Sequence, residues 1–214
     1  VDHSVEKVEL IMRLRAEGVR DTRVLEAMEK VPRELFVGEG FEDQSYEDHA
    51  LPIACGQTIS QPFIVGYMTA KLAPDDRCKV LEVGTGSGYQ AAVLSYLCRR
   101  VYTIERHRRL ANLARERFEK LGRRNVTGMV GDGMKGWPAQ APFDRIIVTA
   151  CAKDRVPKAL LEQLAVGGRL VIPIELPGGR QDLQLISRNE EGFERETLLP
   201  VRFVPLVEGI ARTQ

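Results

Sequence analysis

The sequence predicts a doubly wound α/β protein, with a mostly parallel sheet, an antiparallel C-terminal edge and helices at the N-terminal end. Three observations carry this reading. From Lys79 onward, short apolar runs alternate with segments of helical periodicity, as in consecutive strand–helix–strand units. The first of those runs, Lys79–Val83, passes directly into a glycine-rich turn. The last two, Leu183–Ile186 and Thr197–Val204, read as strands that end the unit antiparallel.

The elements follow in order. Ser4 is placed to cap a first helix carrying Val5, Val8, Ile11 and Met12 on one face, with Gly18 as its stop. Asp21 caps a second helix through Leu25 and Met28. It ends before Pro32, because proline disfavours helix in the residue preceding it. Phe41–Gln61 reads as loop with two extended pieces, Ala50–Ile53 and Gly56–Ser60. A helix follows Pro62, with Ile64, Val65, Met68 and Leu72 at helical spacing. After the strand Lys79–Val83 come a buried helix, Tyr89–Cys98, and a second strand, Arg100–Ile104. His107–Leu121 is amphipathic, with Leu110, Ala114, Phe118 and Leu121 on one stripe, and Gly122 closes it. Val126–Val130 and Arg145–Thr149 are the third and fourth strands. Pro157 suits the first turn of a helix through Leu164, and Gly167-Gly168 separates that helix from a strand at Arg169–Ile172.

Composition narrows the function. The 214 residues suit one domain with a sizeable core. Lys and Arg number 31 against 30 Asp and Glu, a balance that argues against a polyanion partner such as nucleic acid. No apolar run reaches the ~18 residues of a membrane span, and the amino end is too polar for a signal peptide. Cys55, Cys78, Cys98 and Cys151 are widely spaced and are expected as buried or half-buried free thiols in a reducing cytoplasm. His3, His49 and His107 share no ligand spacing, so no metal is expected.

Val80-Leu-Glu-Val-Gly-Thr-Gly-Ser-Gly-Tyr89 is the most informative stretch. Glycines at alternate positions after a strand let the chain turn sharply and a ligand approach the backbone. A dinucleotide fingerprint needs its third glycine where Tyr89 stands, so that pattern fails. E-x-G-x-G-x-G is instead the loop that cradles S-adenosylmethionine in class I methyltransferases. Glu105, ending the second strand, can accept hydrogen bonds from both ribose hydroxyls. Asp132, ending the third, can face the adenine amino group. Each acid alone is an ordinary strand end; the three features in chain order point to the cofactor.

The segment after the fourth strand, Val148-Thr-Ala-Cys-Ala152, has neither the Asn/Asp-Pro-Pro-aromatic motif of nucleic-acid amino methylases nor the Pro-Cys nucleophile of cytosine carbon methylases. No His–Asp or Lys–Glu constellation offers a strong base. That suits an acceptor already nucleophilic at neutral pH, such as a carboxylate with a pKa of about 4. Other small-molecule or nucleic-acid methyltransferases, a nicotinamide oxidoreductase and a non-catalytic interaction protein stay open at this point.

Ala50-Leu-Pro-Ile-Ala-Cys-Gly-Gln-Thr-Ile-Ser-Gln-Pro62 closely resembles the segment preceding the core of protein-L-isoaspartate O-methyltransferases of bacterial length. So do Val31-Pro-Arg-Glu-Leu-Phe-Val37, Leu81–Gln90, Gly131-Asp-Gly133, Ala141–Ala150 and Arg202-Phe-Val-Pro-Leu206. The resemblance implies a Rossmann-like methyltransferase fold and a repair enzyme acting on isoaspartyl-containing proteins and peptides. It implies S-adenosylmethionine as methyl donor and S-adenosylhomocysteine as product. The charge balance, the free thiols and the lack of an apolar span add the expectation of a cytoplasmic protein without nucleic-acid or membrane partner, and nothing demands more than a monomer. By position, Ser60 is the active-site serine, its hydroxyl donating to the substrate carboxylate; its plainer role is a cap for the helix beyond Pro62, and both could coexist. Gln57, Thr58, Ile59, Gly84, Gly86, Gly88, Glu105, Asp132 and Gly133 would hold the cofactor, and the backbone near Val204 would face the substrate. Residues 1–76 would then form an N-terminal helical and substrate-cleft segment, and 77–214 the cofactor-binding core, within one domain. Ala54-Cys55 and Cys151-Ala-Lys-Asp154 depart from the family's usual pattern and bear on selectivity.

Overall fold

The computed structural model describes residues 3–212. Helix α1 (Ser4–Ala16) and helix α2 (Thr22–Lys30) lead the chain. Asp21 caps α2, its side chain accepting from the Arg23 N–H at 3.0 Å. Two expectations for α1 are corrected. His3, not Ser4, is the N-cap residue, and the packed face is Leu10 and Leu14 while Val5, Val8 and Met12 are exposed. The i, i+4 pair of leucines meets Val24, Leu25 and Met28 in one cluster, and the valine row lies on the other side of the helix.

The two-residue strands β1 (Leu51–Pro52) and β2 (Thr58–Ile59) pair antiparallel, and α3 (Pro62–Leu72) follows. Then come β3 (Lys79–Val83), α4 (Tyr89–Ser95), β4 (Arg100–Glu105), α5 (Arg108–Lys120), β5 (Val126–Val130) and β6 (Phe143–Val148). The chain closes with β7 (Ala152–Lys153), α6 (Lys158–Gln163), β8 (Leu164–Glu175), β9 (Gln181–Asn189) and β10 (Gly192–Pro200). The large sheet has the order β10-β9-β8-β6-β3-β4-β5, with β7 beside β8. The pairs from β5 to β8 are parallel; β9 and β10 are antiparallel. The winding reverses between β3 and β6. In register, Val83 pairs with Ile104 and Val148, and Glu105 with Val130, so these carboxyl ends share one rim, the place where doubly wound sheets bind ligands.

Alternating side chains feed two cores. Val80, Val101, Ile147 and Val171 face α2, α3 and α4; Leu81, Val83, Ile146, Val148 and Leu170 face Leu160 of α6. No helix among the described residues is long and apolar enough to cross a membrane.

Three boundaries differ from expectation. Helix α4 stops at Ser95, where the Tyr96 and Leu97 N–H groups turn to carbonyls three residues back at 3.2 and 2.9 Å. The Ser95 carbonyl goes to Arg123 Nη2 at 2.6 Å and Asn125 Nδ2 at 2.9 Å, and Cys98 falls in the following turn. Gly167-Gly168 does not separate two elements: β8 runs through it, with a register shift against β6 and Gly168 close to the Asp144 carbonyl. The last strand is Gly192–Pro200, not Thr197–Val204. Past Pro200, which has no N–H, the Phe203 N–H donates to the Gln181 side-chain oxygen at 2.7 Å, and the chain leaves the ladder.

Candidate active site

The glycine turn leaves β3 and is pinned from two sides. Gly84 N–H donates to the Ile104 carbonyl at 2.9 Å, and Thr149 Oγ1 donates to the Gly84 carbonyl at 2.6 Å. Gly84 has φ +95°, and a Cβ there would lie 2.5 Å from Thr149 Oγ1, so this position has room only for glycine. Gly86, at φ +53°, lines the cleft, and a Cβ there would meet only Ile53 Cδ1 at 3.8 Å. Gly88, at φ +91°, does not line the cleft: a Cβ there would press on Phe118 and Ala114 of α5 at 3.0 to 3.1 Å. Of the three glycines expected to hold the cofactor, two line the cleft, and the third lies where two helices approach.

Glu105 is 5% exposed and lies on the cleft wall. Its Oε2 accepts the Gly86 N–H at 2.8 Å and its Oε1 the His107 N–H at 2.9 Å. Each carboxylate oxygen has two acceptor sites, so both keep capacity for a ligand hydroxyl. Asp132 caps a short turn through Oδ1, which accepts the Met134 N–H at 2.9 Å. Its Oδ2 is buried with no hydrogen-bond partner, and the Lys135 ammonium stands 3.9 Å away. An unsatisfied buried acceptor costs about 1–3 kcal/mol, and an amino group arriving from a ligand would offset that. At this point the cleft is lined by Gly133 rather than by Asp132 itself. The glycine cradle, the ribose-side carboxylate and the orphaned acceptor together fit S-adenosylmethionine.

Behind the loop, Glu82 is completely buried. One oxygen accepts from Thr103 Oγ1, which also bonds Thr85 Oγ1 at 2.6 Å; the other oxygen has no partner. Burial, the largest cause, pushes this carboxyl up to about 8, so it holds its proton at neutral pH.

Gln57, Thr58, Ile59 and Ser60 reach the cleft from the β1–β2 hairpin, anchored by buried Ile59 opposite Leu51. The Ser60 hydroxyl makes no hydrogen bond within the protein among the described residues. It is not the cap of α3: Asp48 supplies that, accepting from the Phe63 N–H and from Gln61 Nε2, both at 2.8 Å. Across the cleft stand Val204, Pro205, Leu206 and Val207. This segment is latched by Cys151, whose N–H donates to the Val204 carbonyl and whose carbonyl accepts from Leu206, both at 2.7 Å. The cleft is partly open to solvent. A groove bordered by Asp48, His49, Gln61 and Arg202 continues outward from Ser60.

All four cysteines are free. Cys78, Cys98 and Cys151 are buried, and burial pushes the Cys151 thiol up to about 11, so it is not a nucleophile at neutral pH. Cys55 departs from expectation: it is exposed, at φ +59° in a tight turn. No group of His, Cys, Asp and Glu among the described residues is arranged to hold a metal. Several cleft residues escaped the sequence reading, notably Thr149, Tyr89, Gln90 and Arg106. Thr149 had a legible signal, since it stands at the carboxyl end of a central strand. Gln90 had none; its role depends on a buried bond to Thr69 Oγ1 at 2.8 Å.

The family model described as protein-L-isoaspartate(D-aspartate) O-methyltransferase matches residues 5–211. A protein-L-isoaspartate O-methyltransferase of Parvibaculum lavamentivorans is 63% identical over 209 residues, covering 97% of this chain and 94% of its own. One from Paracoccus denitrificans is 56% identical, with 97% and 95% covered. A solved protein-L-isoaspartate O-methyltransferase structure superposes with TM-score 0.86 at 32% identity over 93% of this chain, which spans 65% of that longer one. A Plasmodium falciparum crystal structure assigned to the same enzyme class, in complex with S-adenosyl-L-homocysteine, superposes with TM-score 0.83 at 26% identity, covering 97% and 99%.

Proposed function

The chain belongs to the protein-L-isoaspartate O-methyltransferase family, and from that membership we propose which of its residues carry each part of the reaction. The enzyme transfers a methyl group from S-adenosylmethionine to the free α-carboxylate of L-isoaspartyl residues in damaged proteins. The ester then closes to a succinimide, whose hydrolysis returns aspartyl linkages.

S-adenosylmethionine supplies a methyl group made electrophilic by its sulfonium. On our reading, Gly84 and Gly86 give the backbone surface against which the cofactor lies, Glu105 takes the ribose hydroxyls, and Asp132 Oδ2 takes the adenine amine beside Gly133. Gln57, Thr58 and Ile59 cover the cofactor from the hairpin side. The Ser60 hydroxyl, with no internal partner, donates to the substrate carboxylate and orients it, and the backbone at Val204 borders the peptide. No general base is required, because the carboxylate is already ionised. The residues' work is alignment and exclusion of water.

The observation that carries this assignment is the placement of Ser60 and the glycine loop on one cleft, with the Ser60 hydroxyl released from helix capping by Asp48. We also read the chain as one domain with residues 1–76 forming the substrate-cleft segment. We read it as a cytoplasmic monomer with no nucleic-acid or membrane partner, a reading supported by its balanced charge and free thiols. The test is incubation with labelled S-adenosylmethionine and paired peptides differing only in an aspartyl or isoaspartyl linkage. Base-labile label in the isoaspartyl peptide alone is expected. Equal labelling of both, or label that resists mild base, would overturn the reading.

A further inference from the structure

Arg33 lies in the turn after α2 and is fully buried. A guanidinium is rarely buried unless it is paired, because removing its charge from water costs several kcal/mol. This one is almost unpaired. Its Nη2 donates to the Ser60 carbonyl at 2.8 Å, and its plane lies over the Tyr89 ring with 4.7 Å to the centroid. Nε and Nη1 have no hydrogen-bond partner among the described residues. Among the described residues no carboxylate forms an ion pair with it. The neighbouring acids hydrogen-bond elsewhere: Glu34 accepts from the Tyr46 hydroxyl, and Asp48 caps α3, its charge favouring the guanidinium without touching it. Burial draws the Arg33 pKa downward, yet a guanidinium stays protonated in proteins.

The guanidinium's hydrogen bond and its ring contact are both with residues of the cleft wall, Ser60 on the acceptor side and Tyr89 just after the glycine loop. The cation therefore stands one layer behind the wall and joins its two halves. We propose that Arg33 is a positioning residue for the isoaspartyl carboxylate: it fixes the Ser60 backbone so that the hydroxyl meets the substrate, and its buried charge, in no ion-pair contact, raises the local potential that draws the anion in. This rests on the role given to Ser60 above. The set-back position has a chemical reason. The attacking carboxylate oxygen loses negative charge as its bond to the methyl carbon forms, so a cation in direct contact would hold the ground state more tightly than the transition state and slow the reaction. Held behind Ser60, the charge aids binding with little of that penalty.

The test is steady-state kinetics with an isoaspartyl peptide on R33Q, R33K, S60A and R33Q/S60A, alongside calorimetry with S-adenosylhomocysteine. R33Q should raise KM for the peptide about tenfold or more with kcat within about threefold, and leave cofactor-product affinity within about twofold. R33K, which keeps the charge, should recover part of the loss. The kcat/KM losses of R33Q and S60A should combine to less than their product, because one acts through the other. An unchanged peptide KM in R33Q, fully multiplicative losses, or an equal loss of cofactor-product affinity would overturn the proposal. Unchanged kinetics in S60A alone would overturn the Ser60 assignment instead. Should R33Q fail to fold, the Arg33 Nε–H resonance of the intact enzyme is read by NMR with S-adenosylhomocysteine bound. It should shift on adding isoaspartyl peptide and stay put with the aspartyl one, and no shift with either overturns the proposal.

Discussion

Glu105 accepts the backbone N–H of Gly86 at 2.8 Å, so the side chain assigned to the ribose also holds the glycine turn in shape. Its second oxygen ties in His107 at the start of α5. Glu105→Ala therefore removes ligand contacts and a loop anchor together. Affinity for S-adenosylhomocysteine should fall by about 1.5–3 kcal/mol, the range for hydrogen bonds to a charged group. Calorimetry on the variant checks this; intact affinity would refute the ribose role. Glu105→Gln should also weaken binding, because its amide can present a donor to one of two N–H donors.

The glycines of the loop should separate by readout. Gly88→Ala forces a methyl to 3.0 Å from Phe118 at a positive φ, so it should lower the melting temperature while the folded fraction keeps its cofactor affinity. Gly86→Ala meets only Ile53 at 3.8 Å, so its stability cost is limited to the left-handed backbone, about 1–2 kcal/mol. Its added methyl projects toward the cofactor and should reduce affinity. Thermal melts and titrations with S-adenosylhomocysteine, run on both variants, would expose the assignment as wrong if the two profiles were interchanged.

The contrast between these glycines shows what a sequence can disclose. Gly84, Gly86, Glu105 and the strands around them were legible because strand–turn–helix patterns are local and the rim of a parallel sheet follows from chain order. The third glycine looked the same as its neighbours, and only the approach of α5 separates their roles. The packed face of α1 was misread for a similar reason: Val5, Val8 and Met12 make as good a stripe as Leu10 and Leu14 until α2 is in place. The cap of α3 by Asp48, 15 residues away, and the seat of Arg33 under Ser60, 27 residues away, are long-range facts with no local signature.

Glu82 should leave a mark on the pH dependence of stability. Its carboxyl titrates near 8 when folded and near 4.5 when unfolded, so between those values the folded state binds the extra proton. Stability is then greatest below the unfolded value and falls as pH rises through the folded one. Glu82→Gln keeps the neutral shape and has nothing to ionise, so its melting temperature should decline less over the same window. A wild-type protein of this size should lose about 2–4 °C for each kcal/mol of this term. Parallel curves for the two proteins would show that Glu82 does not carry it.

Asp48 and Ser60 should divide stability from catalysis. Asp48→Ala frees the Phe63 N–H at the start of α3 and should cost about 1 kcal/mol of stability, the usual value of a helix cap. Ser60→Ala removes a hydroxyl that no group among the described residues uses, so its unfolding free energy should stay within about 0.5 kcal/mol of the parent. Turnover of an isoaspartyl peptide should instead drop by about 10–150-fold, equivalent to one hydrogen bond to a charged acceptor. Affinity for S-adenosylhomocysteine should be nearly unchanged in Ser60→Ala. A destabilised but fully active Ser60→Ala variant would return the serine to helix capping and leave the substrate carboxylate without its donor. With melting and kinetics on the same two preparations, each residue is judged by the property it should not affect as well as by the one it should.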